Sequence, residues 1–405
     1  MEAFVNQISE IGTLKTVLLH RPDVEVSQII PEYLEQMLAE DTPYVPGAQK
    51  EHDIFSNVLR DQGVEVLYLR DMFCEAMKAH PEARTAFVDD YILSAGVPGE
   101  GLRDAVRQYL LRKDTAGLFF EISKGVMRRD LDDLLDKPIQ LLVADPYPFV
   151  SDPVPNAYFT RDIGTCVGSG MIISSMSKPS RMRETLVLRY VHKYHPRFAA
   201  QPVPLWYDGS AGYKIEGGDI LVLSDKTLAI GCGERTCVSA VECVADRLLH
   251  EGYERVLLFN NPRSRKYMHL DVLFTMVDRD KFLVHPYIAN KECEIYELTA
   301  AKSGVGVSCV TESVEDMLKR VLRLPAVKLI HVGGGDPIAT AREHWNMGSN
   351  SLTVSPGNVI TYDRNDITNE LLVKAGVKVN TIPGSELARG RGGPRCMSMP
   401  IHREA

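Results

Sequence analysis

The residue types closest to covalent chemistry stand in the stretch RGRGGPRCMSMP at 389–400. Cys396 follows three arginines, Arg389, Arg391 and Arg395, and three glycines are interspersed among them. Cationic side chains lower the pKa of a thiol that they face, and the thiolate is the form that attacks carbon. Glycine lets backbone approach a ligand closely. The stretch therefore indicates a nucleophilic cysteine, with an incidental cysteine in a frayed tail as the alternative.

Carboxylates and a histidine stand upstream, each where a loop enters a predicted strand. Asp162 ends FTRD at 159–162, Glu216 opens EGGD at 216–219, and His269 and Asp271 enclose HLD at 269–271. If HLD is extended, its first and third side chains share one face. Each motif alone also fits a surface hydrogen bond, an ion pair or an acidic turn. Gathered at one cleft with a thiol, they would suit a planar cationic electrophile, because carboxylates bind a guanidinium bidentately.

Two further motifs carry less information. GERT at 233–236 precedes a predicted helix, so Arg235 could bind an anionic group or pair with Glu234. GGGD at 333–336 resembles a phosphate loop but lacks the Lys-Ser/Thr of a P-loop, which argues against nucleotide binding.

The elements that must position these residues are short strands alternating with helices. Apolar periodicity predicts a strand, a helix and a strand at 14–19, 48–60 and 64–69, and helices throughout 71–136. Strand pairs are predicted at 163–167 with 171–174, 220–223 with 228–231, and 272–277 with 281–284. Helices are predicted at 180–194, 238–250, 294–301 and 368–375. Further strands are predicted at 139–143, 203–206, 256–259, 327–332, 352–354, 359–362 and 377–381. About five similar modules fit this α/β chain, which favours a ring of modules. A doubly wound sheet stays open, because short apolar runs do not reveal which strands pair.

Composition narrows the function classes. The 405 residues are 44% hydrophobic and 25% charged, with a formal net charge of -8, so no basic surface for nucleic acid or membrane is expected. No secretory signal or bilayer-spanning apolar run is expected, and a cytoplasmic protein is the default. Eight scattered cysteines indicate reduced thiols, and Cys232, Cys237 and Cys243 lack the fourth ligand of a zinc site.

Taken in order, the motifs resemble those of the arginine deiminases, in the guanidine-modifying or pentein superfamily. The resemblance runs through LKTVLLHRP at 14–22, NAYFTRD at 156–162, EGGD, GERT, HLD, SPGNVITYDRN at 355–365 and RGRGGPRCMSMP. It implies a five-bladed pseudo-symmetric α/β propeller, formed as one catalytic domain over 1–405 with an inserted all-helical subdomain at 72–138. One departure is WNMG at 345–348, where family members usually have WNDG, so Met347 replaces an aspartate.

The resemblance also implies roles for individual residues. Cys396 is similar to the nucleophile that forms a covalent thioether, His269 to the group that protonates the leaving ammonia and then activates water, and Glu216 to the carboxylate that orients it. Asp162 and Asp271 resemble the pair that holds the guanidinium. Asn156, Arg181, Arg235 and Arg391 resemble the group that binds the α-carboxylate, with Phe159 as a wall of the pocket.

The implied reaction is hydrolysis of L-arginine to L-citrulline and ammonia, in arginine catabolism. No metal or organic cofactor is implied, and a homo-oligomer, dimer or tetramer, is a family-level expectation. Transfer of the amidino group to another amine would share the same catalytic residues, and a non-enzymatic arginine-binding protein is the alternative from another class. Agmatine as substrate would leave the three pocket arginines without a carboxylate to bind.

Overall fold

The computed structural model describes residues 3–133 and 137–405. The strands in these ranges are β1 (Thr13–Leu19), β2 (Glu65–Tyr68), β3 (Val126–Met127), β4 (Phe149–Ser151), β5 (Gly164–Val167), β6 (Gly170–Ile173), β7 (Leu205–Tyr207), β8 (Ile220–Ser224), β9 (Thr227–Cys232), β10 (Arg255–Asn260), β11 (Phe274–Met276), β12 (Lys281–Val284), β13 (Glu294–Ala300), β14 (Val305–Cys309), β15 (Lys328–His331), β16 (Leu352–Ser355), β17 (Asn358–Tyr362), β18 (Lys378–Ile382) and β19 (Met399–Glu404).

The helices in the same ranges are α1 (Val24–Ser27), α2 (Leu34–Met37), α3 (Val45–Asp61), α4 (Leu69–Ala79), α5 (Ala83–Ser94), α6 (Glu100–Leu111), α7 (Thr115–Lys124), α8 (Ile139–Leu142), α9 (Thr160–Ile163), α10 (Met182–Tyr194), α11 (Pro196–Ala199), α12 (Val238–His250), α13 (Pro286–Ala289), α14 (Val314–Leu322), α15 (Pro337–Trp345) and α16 (Asp366–Lys374). Short 3₁₀ turns lie between several of them, including Gly217–Asp219, Leu270–Val272 and Leu387–Gly390.

Five sheets repeat one pairing pattern. In each, a middle strand pairs antiparallel with one neighbour and parallel with the other, in the orders β19-β1-β2, β5-β6-β7, β8-β9-β10, β11-β12-β15 and β16-β17-β18. Parallel neighbours need a crossover, and helices such as α3, α10, α12 and α16 supply it. The third sheet is widened by β13 and β14. This repetition agrees with the modules expected from the sequence.

Helix α12 illustrates how sequence pattern fixes this packing. Its apolar residues Ala240, Val241, Val244 and Leu248 recur at helical spacing and are fully buried. They join one core cluster with residues of β8, β9 and β10. Burying such a face provides most of the stability of a helix this short, because isolated helices of this length are marginal in water.

The first sheet joins distant parts of the chain. Strand β19 pairs antiparallel with β1, so that Thr13 lies opposite Glu404 and Leu18 opposite Met399. The sequence did not predict β19. This strand begins three positions after Cys396, so its pairing with β1 holds the cysteine-bearing turn against the body of the molecule.

Helices α4 to α7 lie in the segment predicted to be helical, and α4 begins at Leu69. Phe73, Phe87 and Phe119 are buried between them, and the same cluster contains Ile163 and Met171 of the sheet region. These helices therefore share a core with the strands. The expected boundaries 72–138 include residues 134–136, which lie outside the described residues.

Two secondary-structure predictions are wrong. The strand expected at 139–143 is helix α8, because Pro138 leads into a single turn whose Ile139 and Leu142 side chains are 69% and 67% exposed instead of lying in a sheet. The helix expected at 294–301 is strand β13, because β10 offers an antiparallel edge on which Ile295 pairs opposite Phe259. Helices α14 and α15 and strand β14 were not predicted.

Met347, the departure noted in WNMG, has left-handed backbone geometry with φ of 62°. This conformation costs a non-glycine residue about 1 kcal/mol. The side chain is nevertheless only 3% exposed and packs into the main core cluster, which also contains Cys396. Burial of an apolar side chain here offsets the backbone strain.

Among the described residues, none of the helices combines the length and apolar character needed to cross a bilayer.

Candidate active site

One small cavity collects most of the residues predicted to act. Its described lining consists of Leu38, Glu40, Asn156, Phe159, Asp162, Arg181, Arg235, Arg265, Met268, His269, Gly390, Arg391, Gly392 and Cys396. Its volume is about 30 Å³. Eight of the ten residues predicted from the sequence line it. The other two, Glu216 and Asp271, contact His269 and Cys396 from behind.

Cys396 sits in a tight turn ahead of β19. Its backbone N–H donates to Asn350 Oδ1 over 3.0 Å, and its carbonyl accepts from Arg161 N over 3.0 Å. Gly392 is required in this turn, because a Cβ there would meet the Phe159 ring at 2.0 Å. The glycines thus allow the turn to pack against the cavity wall.

The thiol of Cys396 is surrounded by carboxylates. Its Sγ lies 3.7 Å from Asp271 Oδ2. Burial raises the pKa of this thiol well above its usual value, and the charges of Asp271 and Asp162 raise it further. The flanking arginines do not reverse this, because Arg389 pairs with Asp41 and Arg395 is bonded to Glu10 and Asp271. The thiol is therefore neutral near pH 7.

His269 is held between two acids. Its Nε2 lies 2.9 Å from Glu216 Oε2, and its Nδ1 lies 3.6 Å from Asp162 Oδ1. Burial alone would lower the pKa of His269, but Asp162 and the bond to Glu216 outweigh it and raise the pKa to about 9. The pKa of Glu216 is lowered, since the bond to His269 and the charge of Arg235 overcome the effect of burial. His269 is therefore an imidazolium at neutral pH, able to donate a proton.

The expected geometry of HLD is wrong in detail. His269 is extended, but Leu270–Val272 forms a 3₁₀ turn, which Asp219 fixes by accepting the Leu270 N–H over 2.8 Å. His269 and Asp271 therefore do not lie on one strand face. The turn sends His269 to Glu216 and Asp271 to Cys396, so both still reach the site.

Asp162 and Asp271 each keep one oxygen without a hydrogen bond. Asp162 Oδ2 accepts from Arg181 over 2.7 Å, and Asp271 Oδ2 accepts from Arg395 over 2.8 Å. The Oδ1 atom of each is buried without a hydrogen bond among the described residues, and the ion pair of Asp162 Oδ1 with His269 Nδ1, at 3.6 Å, is too long to be one. Buried carboxylate oxygens are costly unless paired. Two such oxygens beside a thiol form a receptor for a cation with several N–H donors.

The residues expected to bind a carboxylate differ in how many of their N–H groups are already hydrogen-bonded or ion-paired. Arg181 is fully engaged with Asp162 and Glu184, at 2.7 Å and 2.8 Å. Arg235 lies 3.4 Å from Glu216, and Arg391 stacks on Trp345 with its guanidinium carbon 3.6 Å from the ring centre. Both retain buried N–H groups without a hydrogen bond in the described part of the chain, although Arg235 Nε lies 3.7 Å from Glu234 Oε1 in the ion pair that the sequence left open. Arg235 and Arg391 therefore have donors available for an anionic group.

The remaining predicted pocket residues, Asn156 and Phe159, also lie in the cavity wall. Asn156 donates from Nδ2 to the carbonyl of Met37 over 3.2 Å, which ties this wall to helix α2. The ring of Phe159 packs tilted against that of Tyr158, with the ring centres 4.0 Å apart, and also faces the glycine turn.

Sequence reasoning missed four residues of the cavity lining. These are Leu38, Glu40, Arg265 and Met268, and Glu40 pairs with Arg265 over 2.6 Å. These residues carry no motif, because charged pairs between loops are common on any surface. Only the left-handed φ of 53° at Leu38 marks a sharp turn, and φ cannot be read from a leucine.

Glu51 of α3 was also missed, although it supports the cysteine-bearing segment. Its buried carboxylate accepts from the backbone N–H groups of Ser385, Glu386 and Leu387 at 2.9 to 3.2 Å. These residues begin the turn that carries Arg391 and Cys396. A carboxylate that binds three consecutive N–H groups acts as a fixed anchor for a loop.

Replacing Glu51 with glutamine is expected to lower the free energy of unfolding by about 2 kcal/mol and to reduce turnover, since charge-assisted bonds to the loop are lost. Denaturant unfolding and steady-state kinetics measure both effects. Glu65→Gln is the matched control: Glu65 pairs with Arg197 at the surface, where such a pair contributes little. Equal losses in both variants would contradict an anchoring role for Glu51.

Within the described residues, no group of three or more His, Cys, Asp or Glu side chains is arranged to hold a metal ion.

Comparison with known structures defines the class of fold. The chain is similar to the N-terminal domain of ArgZ, an arginine dihydrolase from cyanobacteria, bound to product (TM-score 0.54, 15% identity, 96% of this chain and 98% of that chain). It is equally similar to a DDAH mutant from Pseudomonas aeruginosa complexed with citrulline (0.54, 14%, 96% and 99%) and to SxtG, an amidinotransferase from Microseira wollei (0.55, 14%, 99% and 98%). The fold is the mixed α/β fold of the pentein enzymes.

Sequence comparison identifies the family. The family model described as arginine deiminase matches residues 35–403. Curated arginine deiminases from Clostridium perfringens (strain SM101 / Type A) and Bacillus cereus (strain B4264) are each 44% identical over 99% of this chain and 98% of their own length. One from Streptococcus equi subsp. equi (strain 4047) is 42% identical with the same coverage. The chain belongs to the arginine deiminase family, as the motifs indicated.

Proposed function

We propose that this chain hydrolyses the guanidinium group of free L-arginine to L-citrulline and ammonia through a covalent thioether on Cys396. The observation that carries the proposal is the pair of buried carboxylate oxygens on Asp162 and Asp271 that lack a hydrogen bond, beside one thiol and one imidazolium. A guanidinium offers the planar N–H donors that both oxygens need. Family membership supports the same reaction.

Substrate binding prepares the nucleophile. The guanidinium brings a positive charge between Asp162 and Asp271, which cancels the negative field that keeps the Cys396 thiol protonated. Asp271 Oδ2, 3.7 Å from Sγ, is in position to accept the thiol proton. The thiolate therefore forms when its electrophile is present.

The reaction then proceeds in two chemical steps, formation of the thioether and its hydrolysis. Sulfur adds to the central carbon, and the imidazolium of His269 donates its proton to one amino group, so that the C–N bond breaks and ammonia leaves. His269, now neutral and oriented by Glu216, accepts a proton from water as the water oxygen attacks the thioether carbon. The C–S bond breaks, and citrulline leaves with the water oxygen as its ureido oxygen. The second water proton converts the released ammonia to ammonium, and Asp271 returns its proton to the Cys396 sulfur, so the resting state is restored.

The far end of the substrate would meet the cationic part of the cavity. Arg235 and Arg391 have free N–H groups for the α-carboxylate, with Asn156 and Arg181 beside them and Phe159 along the aliphatic chain. Because Arg181 is already engaged by Asp162 and Glu184, its contribution is to hold Asp162 in place more than to bind the carboxylate directly.

The test is to incubate purified protein with arginine or agmatine and to measure citrulline and ammonia. Arginine should yield equal amounts of both, and agmatine, which lacks the carboxylate, should react far more slowly. Adding glycine as an acceptor amine distinguishes amidino transfer, which would form guanidinoacetate. No citrulline above the level of a Cys396→Ala variant would defeat the proposal.

The larger organisation is part of the same proposal. Five sheets of identical pairing pattern, with β19 returning to β1, support a five-bladed propeller formed as one catalytic domain over 1–405, with a helical insert at 72–138. All eight cysteines are free, which supports a reducing, cytoplasmic location. A homo-oligomer, dimer or tetramer, remains a proposal that light scattering would test.

A further inference from the structure

A chain of buried charges runs behind the cavity, from Cys396 to strand β8. Arg395 donates from Nη1 to Asp271 Oδ2 over 2.8 Å and from Nε to Glu10 Oε2 over 3.1 Å. Its Nη2 donates to the carbonyl of Ile220 over 2.8 Å. Glu10 in turn accepts the N–H of Val222 over 3.1 Å. Arg395 and Glu10 are 1% and 5% exposed, and neither lines the cavity.

Positive charges outnumber negative charges in this group of buried side chains. Arg161 and Arg403 also lie close enough to act on Glu10, so three guanidiniums face the two carboxylates of Glu10 and Asp271. Burial alone would raise the pKa of Glu10, but Arg395 and Arg161 outweigh it and lower the pKa to about 2. Glu10 is therefore ionised and offsets part of the positive charge behind the nucleophile.

Other groups also act on the thiol. Asp162 lines the cavity and adds negative charge, His269 lies next to Asp162, and the hydroxyls of Tyr158 and Tyr362 interact electrostatically with Cys396.

We propose that Arg395 and Glu10 are positioning residues, in which Glu10 holds the guanidinium fork of Arg395 and the fork fixes Asp271 beside Cys396. With Oδ2 of Asp271 fixed by Arg395, Oδ1 is left to face the guanidinium of the substrate. The effect of these residues on kcat/KM for arginine rests on the proposed function. Their effect on the charge around the Cys396 thiol does not, because it requires no substrate.

A planar fork is essential to this arrangement. Arg395 sends three donors in three directions, to Glu10, Asp271 and Ile220, and only a guanidinium does this in a fixed geometry. Lysine preserves the charge but concentrates its donors at one point. An Arg395→Lys variant therefore keeps the positive charge and changes the geometry of the donors. A Glu10→Gln variant keeps the shape of the side chain and removes its negative charge.

The experiment measures the pH profile of Cys396 alkylation by iodoacetamide, with the modified peptide quantified by mass spectrometry. In Glu10→Gln, the three guanidiniums lose one counter-charge, so the midpoint is expected to move down by about one pH unit. In Arg395→Lys, the midpoint should stay near that of the unaltered protein, while kcat/KM for arginine falls about 10²-fold because Asp271 loses its fixed orientation.

Glu343→Gln is the matched control for damage to the fold. Glu343 is also a buried carboxylate that accepts backbone N–H groups, from Ile367 and Thr368, but it lies in α15 and serves α16. It should lose stability without a change in the alkylation midpoint. An unchanged midpoint in Glu10→Gln, or unaltered kcat/KM in Arg395→Lys, would overturn the inference. Absence of citrulline from the unaltered protein would defeat the proposed function instead, and the midpoints would still test the charge network.

Discussion

Replacing Cys396 with alanine is expected to reduce citrulline formation by about 10⁶-fold, to background. The cavity would still bind arginine through Asp162 and Asp271, but hydrolysis would have to occur without a covalent intermediate. Rapid-quench mass spectrometry provides the second measurement. The unaltered protein should carry the amidino adduct on the peptide containing Cys396 during turnover, and the variant should carry none.

The matched control is Cys232→Ala. Cys232 is buried like Cys396, and burial raises the pKa of its thiol to about 11, but it lies in β9 outside the cavity. This variant should retain activity and the adduct. If Cys396→Ala kept substantial turnover while the adduct disappeared, the thiol would be a binding group and direct attack by water would replace covalent catalysis.

Replacing His269 with alanine is expected to lower kcat by 10² to 10⁴-fold, about the contribution of one general acid–base group. The two roles of His269 can be separated with S-methyl-L-thiocitrulline, whose methylthio group departs without prior protonation. With this compound the variant should form the adduct quickly and hydrolyse it slowly, so that a burst of methanethiol precedes slow turnover. Hydrolysis at the normal rate would contradict the assignment of His269 as the base for water.

The pH dependence of the unaltered protein tests the acid role of His269 without a substitution. Because Asp162 and Glu216 raise the pKa of His269 to about 9, its imidazolium is present below that pH and is lost above it. The acid step should therefore weaken as pH rises through about 9. Glu216→Gln removes a stabilising partner, so this decline should begin at lower pH.

The sequence was sufficient to find most of the residues that line the cavity. Short motifs contain Cys396, His269, Asp162 and the pocket arginines, and these motifs can be recognised without knowledge of the fold. The structure brings all of these residues to one cavity. The strand–helix alternation was readable because buried strands and α12 have strong apolar periods. Pairing partners were not readable, since periodicity gives the face of a strand but not its neighbour.

The misses have physical causes. Glu40 with Arg265, and Glu10 with Arg395, act across more than 200 positions of sequence, and a local pattern does not show such partners. β13 was misassigned because its tertiary partner β10, not its own propensity, decides its conformation. The charge that governs the thiol was also hidden. Arg389 and Arg395 are paired with the distant acids Asp41, Glu10 and Asp271, so neighbours in the chain are poor guides to the local field.

The pairing of β19 with β1 brings together segments separated by almost the whole length of the chain. Closing so long a loop is entropically costly. The position of Cys396 beside His269 and the acids therefore depends on a contact that no local segment of the chain can form by itself, and loss of this one strand pairing would release the turn that carries the thiol.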